Sequence, residues 1–119
     1  MRRVERARLI RDAILAHPRE EWRWNTASGE RYLQLDCDRW HASLRTPFSG
    51  PLPPPPPAPT YLHALILQQK AAPLPNVLDL WLRGQRKVLS IEWDGDDLRL
   101  ISMKPGPWEF ELFGVGEGP

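Results

Sequence analysis

Apolar residues in the first stretch of the chain recur at helical spacing. Over residues 3–16 they fall on one side of a helical wheel, and they are Val4, Ala7, Ile10, Ile14 and Leu15. This spacing predicts an amphipathic helix that Pro18 terminates. Arg11 lies within the apolar stripe, so we expect its guanidinium to be paired or to extend along the surface to water.

After this helix the pattern changes to a period of two. Residues 21–25 alternate, with two tryptophans on one side, and residues 30–36 alternate again. Turn-forming residues at 26–29 separate the two segments, which together predict a β-hairpin. Residues 38–45 fit either a third strand or one short helix, because their periodicity does not decide between the two.

A proline-rich run then divides the chain. Residues 47–59 contain eight prolines in thirteen positions. Because proline fixes φ and lacks a backbone donor, no helix or inner strand crosses this run. The flanks, 1–46 and 60–113, are each short for an independent domain. We therefore predict one domain over 1–119, with 47–59 as a polyproline connector that braces or bridges a shared core. A plain tether and a motif that docks in a partner's groove are the alternatives.

Beyond the connector, two apolar runs predict helices. The first covers Tyr61 to Ala71, with Thr60 in the position of an N-cap. The second begins at Asn76 and is closed by Gly84 in the role of a C-terminal cap.

The last third of the chain alternates and predicts strands. Residues 86–93 and 98–103 flank residues 94–97, where an Asp-Gly pair between alternating runs indicates a hairpin. Residues 108–113 also alternate and predict one more strand, and 114–119 predict a flexible tail. The expected fold is therefore α+β, with two or three helices packed on antiparallel hairpins. Its two αβ halves are joined by the polyproline segment.

Composition and charge narrow the class of protein. The chain has 119 residues, of which 41% are hydrophobic and 26% charged, as in globular proteins. The net charge of +1 gives no global field for a polyanion. Residues 1–46 carry ten basic and seven acidic residues, whereas residues 60–119 carry six and eight. An anionic partner is therefore better sought on the first half.

Location and redox context follow from two absences in the sequence. Cys37 is the single cysteine, so no internal disulfide can form. The first residues are charged throughout, unlike a signal peptide, and no apolar run approaches the roughly 20 residues of a membrane span. We expect a cytoplasmic protein that does not enter a membrane.

Residues capable of catalysis or metal binding are few. Cys37 and His41 are close in sequence, but a small cysteine near apolar residues is typical of core filling rather than catalysis. Asp36, Asp38 and His41 form the one dense set of metal ligands, and their spacing is equally typical of a polar strand end or turn. We expect no enzyme activity, no cofactor and no bound metal.

The functional prediction rests on the aromatic and arginine content. Large aromatic and arginine side chains are enriched at protein interfaces. We predict a non-catalytic accessory or adaptor module that binds another protein. The predicted contact residues are Trp22, Arg23, Trp24 and Trp108. Core packing is the alternative explanation for each tryptophan. Exchange of halves across the long connector, giving a homodimer, is a further expectation about partners.

Nucleic-acid binding is the alternative function. Basic residues interleaved with aromatic rings can hold phosphates and stack bases. The residues that would do so line the first helix and the first hairpin, and they are Arg2, Arg3, Arg6 and Arg23. The near-neutral total charge makes this the second choice.

Overall fold

The computed structural model describes residues 1–25, 32–45 and 75–116. The predicted hairpin turn at 26–29, the proline-rich connector and the predicted helix from Tyr61 to Ala71 lie outside these ranges. So do the last three residues of the predicted tail.

The first helix, α1, spans Arg3–Leu15 and confirms the helical spacing. The backbone amide of Ala16 donates to the carbonyl of Asp12 at 3.0 Å, and the helix ends there, two residues before Pro18. The buried side of α1 consists of Ala7, Ile10, Arg11, Ile14 and Leu15.

Arg11 is the charged member of that buried side. It is only 8% exposed, and its guanidinium lies 3.0 Å from the carboxylate of Asp12 and 5.0 Å from the ring centroid of Trp93. A cation over a tryptophan face contributes about 0.5–2 kcal/mol, more as it is desolvated. The expectation of a paired arginine is confirmed.

Six strands form one antiparallel sheet in which each strand pairs with the next along the chain. A short 3₁₀ turn, Arg19–Glu21, leads from α1 into it. The strands are β1 (Trp22–Asn25), β2 (Tyr32–Asp36), β3 (Trp40–Arg45), β4 (Asn76–Leu82), β5 (Lys87–Asp94) and β6 (Asp97–Met103). A second helix, α2, follows at Trp108–Phe113.

Both predicted hairpins are present. β1 pairs with β2, and the undecided segment 38–45 contributes the strand β3. β5 pairs with β6 around a two-residue turn in which Asp94 lies opposite Asp97. Gly95 takes a φ of 59° at the first turn position, a conformation that glycine adopts without strain. The α+β class with an antiparallel sheet is therefore confirmed.

Strands from both flanks of the connector belong to the same sheet. β3 pairs directly with β4, and Arg45, the last residue of β3, lies opposite Val77 near the start of β4. The chain between Arg45 and Asn76, which includes the predicted connector, therefore joins two neighbouring strands of one sheet.

The predicted helix from Asn76 is wrong, because this segment is the strand β4. Leu78 and Leu80 point to the buried core, while Val77, Asp79 and Trp81 point to the other side. β4 is an inner strand, so both of its sides carry large residues, and such a run resembles a buried helix. The glycine at 84, with φ of 69°, serves the turn between β4 and β5 rather than a helix end.

The predicted strand at 108–113 is also wrong, because this segment is the helix α2. Pro107 caps its start, and Gly114 ends it in the left-handed conformation with φ of 65°. The amide of Val115 donates back to the carbonyl of Glu109, and Val115 packs against the core. Gly114 and Val115 thus form the C-terminal cap of α2. The described residues contain two α-helices.

One face of the sheet, here called the core face, is covered by α1 and α2. Buried side chains of every strand join those of both helices in one cluster. α2 is anchored by Trp108, which is 4% exposed, and by Phe113, whose ring lies 5.2 Å from that of Trp40. Each large apolar side chain buried in this way contributes about 1.5–3 kcal/mol. Within the described ranges no helix is long and apolar enough to cross a membrane.

Candidate functional site

The opposite face of the sheet, here called the polar face, carries a different set of side chains. Residues paired across adjacent strands share a face, so the register defines its rows. One row crosses all six strands and consists of Arg23, Gln34, Ser43, Asp79, Ser90 and Ser102. A second row consists of Asp36, His41, Trp81 and Lys87. The third runs through Asn25, Tyr32, Arg45, Val77, Glu92 and Arg99.

A buried carboxylate lies at the centre of the polar face. Asp79 is 7% exposed, and the hydroxyl of Ser90 donates to it at 2.5 Å. The ammonium of Lys87 lies 3.7 Å from the same carboxylate oxygen. A buried charge is tolerated when it is both paired and hydrogen-bonded, and Asp79 meets both conditions.

Trp81 stands beside this carboxylate with both of its ring faces covered. On the β3 side the ring of His41 stacks on it at 5.1 Å with an interplanar angle of 6°. On the β5 side the ammonium of Lys87 lies 5.5 Å from its ring centroid. Trp81 is therefore held between His41 and Lys87, which limits the ring surface open to a partner.

A depression of about 360 Å³ opens on this face between β2, β3 and β4. Its lining combines aromatic, hydroxyl, amide and charged groups, and consists of Tyr32, Gln34, His41, Ala42, Ser43, Arg45, Asp79 and Trp81. All of these residues lie on paired strands, so the sheet hydrogen bonds hold their positions. Rigid secondary structure is the support on which binding groups are positioned most accurately.

Three polar groups of this lining have no internal bond. Among the described residues, neither the Tyr32 hydroxyl, nor the Ser43 hydroxyl, nor the guanidinium of Arg45 has a hydrogen-bond or ion-pair partner. Arg45 is exposed and sits directly opposite Tyr32 in the register. Gln34 differs, because its amide oxygen accepts from Asn25 and its amide nitrogen donates to Asp36. Within the described part of the chain, the Tyr32, Ser43 and Arg45 groups are available to a partner.

A larger depression, of about 450 Å³, lies where the N-terminus meets α2. Its two charged side chains bond to each other, because Arg6 donates to Glu109 at 2.7 Å. Arg6 also donates to the carbonyl of Met1 at 2.9 Å. Its charges are matched internally, so the depression on the polar face is the better candidate despite its smaller volume.

The four predicted protein-binding residues lie in different parts of the structure. Trp22 and Trp108 are 3% and 4% exposed and belong to the core, in line with the packing explanation. Trp24 is half-buried on the core face and packs against the same cluster. Arg23 is exposed on the polar face, at the margin of the depression. Of the four, only Arg23 lies beside the candidate site.

The predicted nucleic-acid contacts on the first helix are engaged within the chain. Arg2 pairs with Glu5 at 3.1 Å, and Arg3 donates to the backbone carbonyl of Met103 at 2.9 Å. Arg6 is bonded as described above. The bonds of Arg3 and Arg6 hold α1 to β6 and α2, and all three pairings leave less positive charge free for a phosphate backbone.

Among the described residues, the three candidate metal ligands considered from the sequence do not come together. Asp36 lies opposite His41 in the register, and Asp38 is exposed in the turn between β2 and β3. In the part of the chain that the structure describes, no three His, Cys, Asp or Glu side chains form a metal-binding group. The Nδ1 atom of His41 is buried and has no hydrogen-bond partner in these ranges.

The thiol of Cys37 is not activated. Burial raises its pKa, and the carboxylates of Glu21, Asp36 and Asp38 raise it further against the opposing effect of Arg83. A reactive cysteine needs the opposite environment, one that lowers the pKa and favours the thiolate. The environment of Cys37 therefore gives no support to nucleophilic catalysis.

Comparison with known proteins gives no assignment, because no family model, curated protein or solved structure matches the chain. The site must therefore be interpreted from its own residues. The sequence did hold one signal for it. Asp79 is the lone charged residue within the apolar run from Asn76 to Leu82, and a charge in such a run is a candidate for a buried polar network.

Proposed function

We propose that this chain is a non-catalytic protein-binding module, and that its binding surface is the depression on the polar face. The observation that supports this most directly is the composition of the lining. Tyr32, Trp81 and Arg45 surround a rigid concave patch, and tyrosine, tryptophan and arginine are the residue types that dominate binding energy at protein interfaces.

The chemistry of the surrounding groups supports binding over catalysis. The Ser90 hydroxyl donates to a carboxylate, so its hydrogen bond is not with the histidine that a serine nucleophile requires. The Cys37 thiol is held in its neutral form by its surroundings. Neither of these two groups is therefore activated for nucleophilic attack.

Affinity capture from the source cell tests the proposal. We expect the tagged chain to retain a protein, and Tyr32→Ala to lose it. Leu9→Ala is the matched control, because Leu9 is 45% exposed on α1, on the opposite side of the sheet. Urea unfolding of each variant checks that the fold is intact.

Two outcomes would overturn the proposal. One is that no protein is retained at any salt concentration. The other is that Tyr32→Ala and Leu9→Ala retain the partner equally. Light scattering on the purified chain tests the predicted homodimer separately, because exchange of halves doubles the mass. Binding of an oligonucleotide at low salt, lost when Arg2, Arg3 and Arg6 are replaced, would favour the nucleic-acid alternative instead.

A further inference from the structure

The charges that line the depression on the polar face do not cancel. Asp79 is the one carboxylate in the lining, and it already interacts with the Ser90 hydroxyl and the Lys87 ammonium. Arg45 lies at the rim with no counter-charge among the described residues. The unmatched charge of the depression is therefore positive.

Three donors are arranged around that positive charge. Arg45 and Tyr32 are directly opposite each other on β3 and β2, and Ser43 lies two residues before Arg45 on the same face. Opposite residues in an antiparallel pair have Cβ atoms about 4.5–5.5 Å apart. One guanidinium and two hydroxyls can therefore converge on a single small acceptor group.

We infer that the depression binds a glutamate or aspartate side chain in an acidic segment of the partner protein. This inference rests on the proposed function and specifies the chemistry of its partner. A guanidinium fork matches the two oxygens of a carboxylate, and such charge-assisted bonds are roughly twice as strong as neutral ones. The Tyr32 ring, directly opposite Arg45, would contact the apolar part of the same side chain.

A phosphate group fits this surface less well than a carboxylate. A phosphate carries up to two charges, and the single unpaired guanidinium of the lining would leave more of that charge unmatched than it would leave for a carboxylate. Stacking of bases beside the phosphates would also compete at Trp81 with the stacked ring of His41 and with the Lys87 ammonium. Arg23 at the margin provides a second exposed cation for an adjacent acidic residue.

Titration followed by amide chemical shifts tests the inference. The probe is a tetraglutamate peptide blocked at both ends, and the control peptide is tetraglutamine. We expect saturable shifts at Tyr32, Ser43 and Arg45 with tetraglutamate and none with tetraglutamine. Because both partners are charged, the affinity should fall as salt is raised from about 50 to about 200 mM.

Two variants separate specific binding from general attraction. Arg45→Gln should weaken tetraglutamate binding by about tenfold or more, the loss expected for a charge-assisted bond. Arg99→Gln is the matched control on the same face, because Arg99 is bonded to Glu92 at 3.0 Å. It should leave the affinity within about twofold of the wild type. Arg45 is exposed at a strand end, so its replacement should not disturb the fold, and the unshifted amides report this.

Several results would overturn the inference. They are the absence of shifts with tetraglutamate, equal binding of tetraglutamine, and equal effects of Arg45→Gln and Arg99→Gln. Stronger binding of an octathymidine oligonucleotide at the same amides would assign the surface to nucleic acid instead. If a captured protein is lost by Tyr32→Ala while tetraglutamate does not bind, the acidic chemistry fails and the protein-binding function stands.

Discussion

Removing the Ser90 hydroxyl tests how the polar face tolerates its buried charge. In Ser90→Ala the carboxylate of Asp79, whose side chain is 10% exposed, loses the donor at 2.5 Å and keeps only the ammonium of Lys87 at 3.7 Å. Hydrogen bonds to charged groups contribute about 1.5–3 kcal/mol, so we expect a loss of about 2 kcal/mol in the free energy of unfolding. With a urea m-value of about 2 kcal/mol per molar, the midpoint falls by about 1 M.

Combining Ser90→Ala with Asp79→Ala measures the interaction between the two side chains separately from the effect of removing each one. Asp79→Ala removes the buried charge and leaves only a neutral hydroxyl and a lysine that is 43% exposed. We expect that once Asp79 is gone, Ser90→Ala adds little, so the two changes together cost about as much as Asp79→Ala alone. The coupling energy in the double-mutant cycle is then about 2 kcal/mol, within the range for residues in direct contact.

Urea unfolding of the four proteins measures this coupling. Ser102→Ala is the control, because Ser102 is exposed and lies opposite Ser90 in the same row. It should change stability by less than about 0.5 kcal/mol. Additive effects of the two changes, within about 0.5 kcal/mol, would show that the hydroxyl does not stabilise the carboxylate. The claim that Asp79 is already matched would then be refuted.

Three further predictions follow from the described contacts. Replacing Arg6 and Glu109 singly and together by Gln should give a coupling of about 1 kcal/mol because the pair is partly buried. The exposed ion pair in the first turn of α1 should give less than half of that. Alkylation of Cys37 by iodoacetamide at neutral pH should be slower in the folded chain than in urea, because its raised pKa keeps the thiol protonated. Faster alkylation of the folded chain would contradict this prediction. The same raised pKa also predicts that the free energy of unfolding falls as pH rises from the unfolded-state pKa of this thiol to its folded-state pKa. Deleting residues 51–57 shortens the segment of about 30 residues between β3 and β4 by about a quarter, and for a flexible chain this changes the free energy of closing the segment by only about 0.2 kcal/mol. A loss of more than about 1 kcal/mol would show that the proline run braces the fold.

Local signals in the sequence were sufficient for the elements that have one buried side. α1 has an apolar stripe at helical spacing, and the β5–β6 hairpin has an Asp-Gly turn between alternating runs. β4 was misassigned because an inner strand has large residues on both sides, so its period of two is obscured. Leu78 and Leu80 do keep that period, but their role becomes clear only when β3 and β5 lie on either side.

α2 shows the opposite error. Its alternating aromatic residues predicted a strand, yet Phe110 is 40% exposed while Trp108 is buried, so the alternation does not correspond to two faces. The flanking residues carried the better signal. Pro107 stands at the helix start and Gly114 at its end, which is the arrangement typical of a short helix. Caps therefore outweighed periodicity over six residues.

The candidate site was harder to predict than the fold because its residues are distant in the sequence. Counting tryptophans and arginines selected Trp22 and Trp108, which the sheet and helices bury. The polar face brings together residues on either side of the connector, and no local spacing encodes that pairing. Of the four residues predicted to bind a protein, Arg23 alone lies beside the site, because the strand register places it opposite Gln34.

The position of the site on the sheet links its function to the pairing of the two flanks. Tyr32, Ser43 and Arg45 come from the first flank, whereas Asp79 and Trp81 come from β4 in the second. Neither flank holds a complete lining, so the depression exists only where β3 is paired with β4. Exchange of halves between two chains would rebuild the same pairing and the same depression from two molecules. Binding at this surface should therefore depend on the pairing of β3 with β4. A change that separates these two strands should abolish binding even if each hairpin keeps its structure.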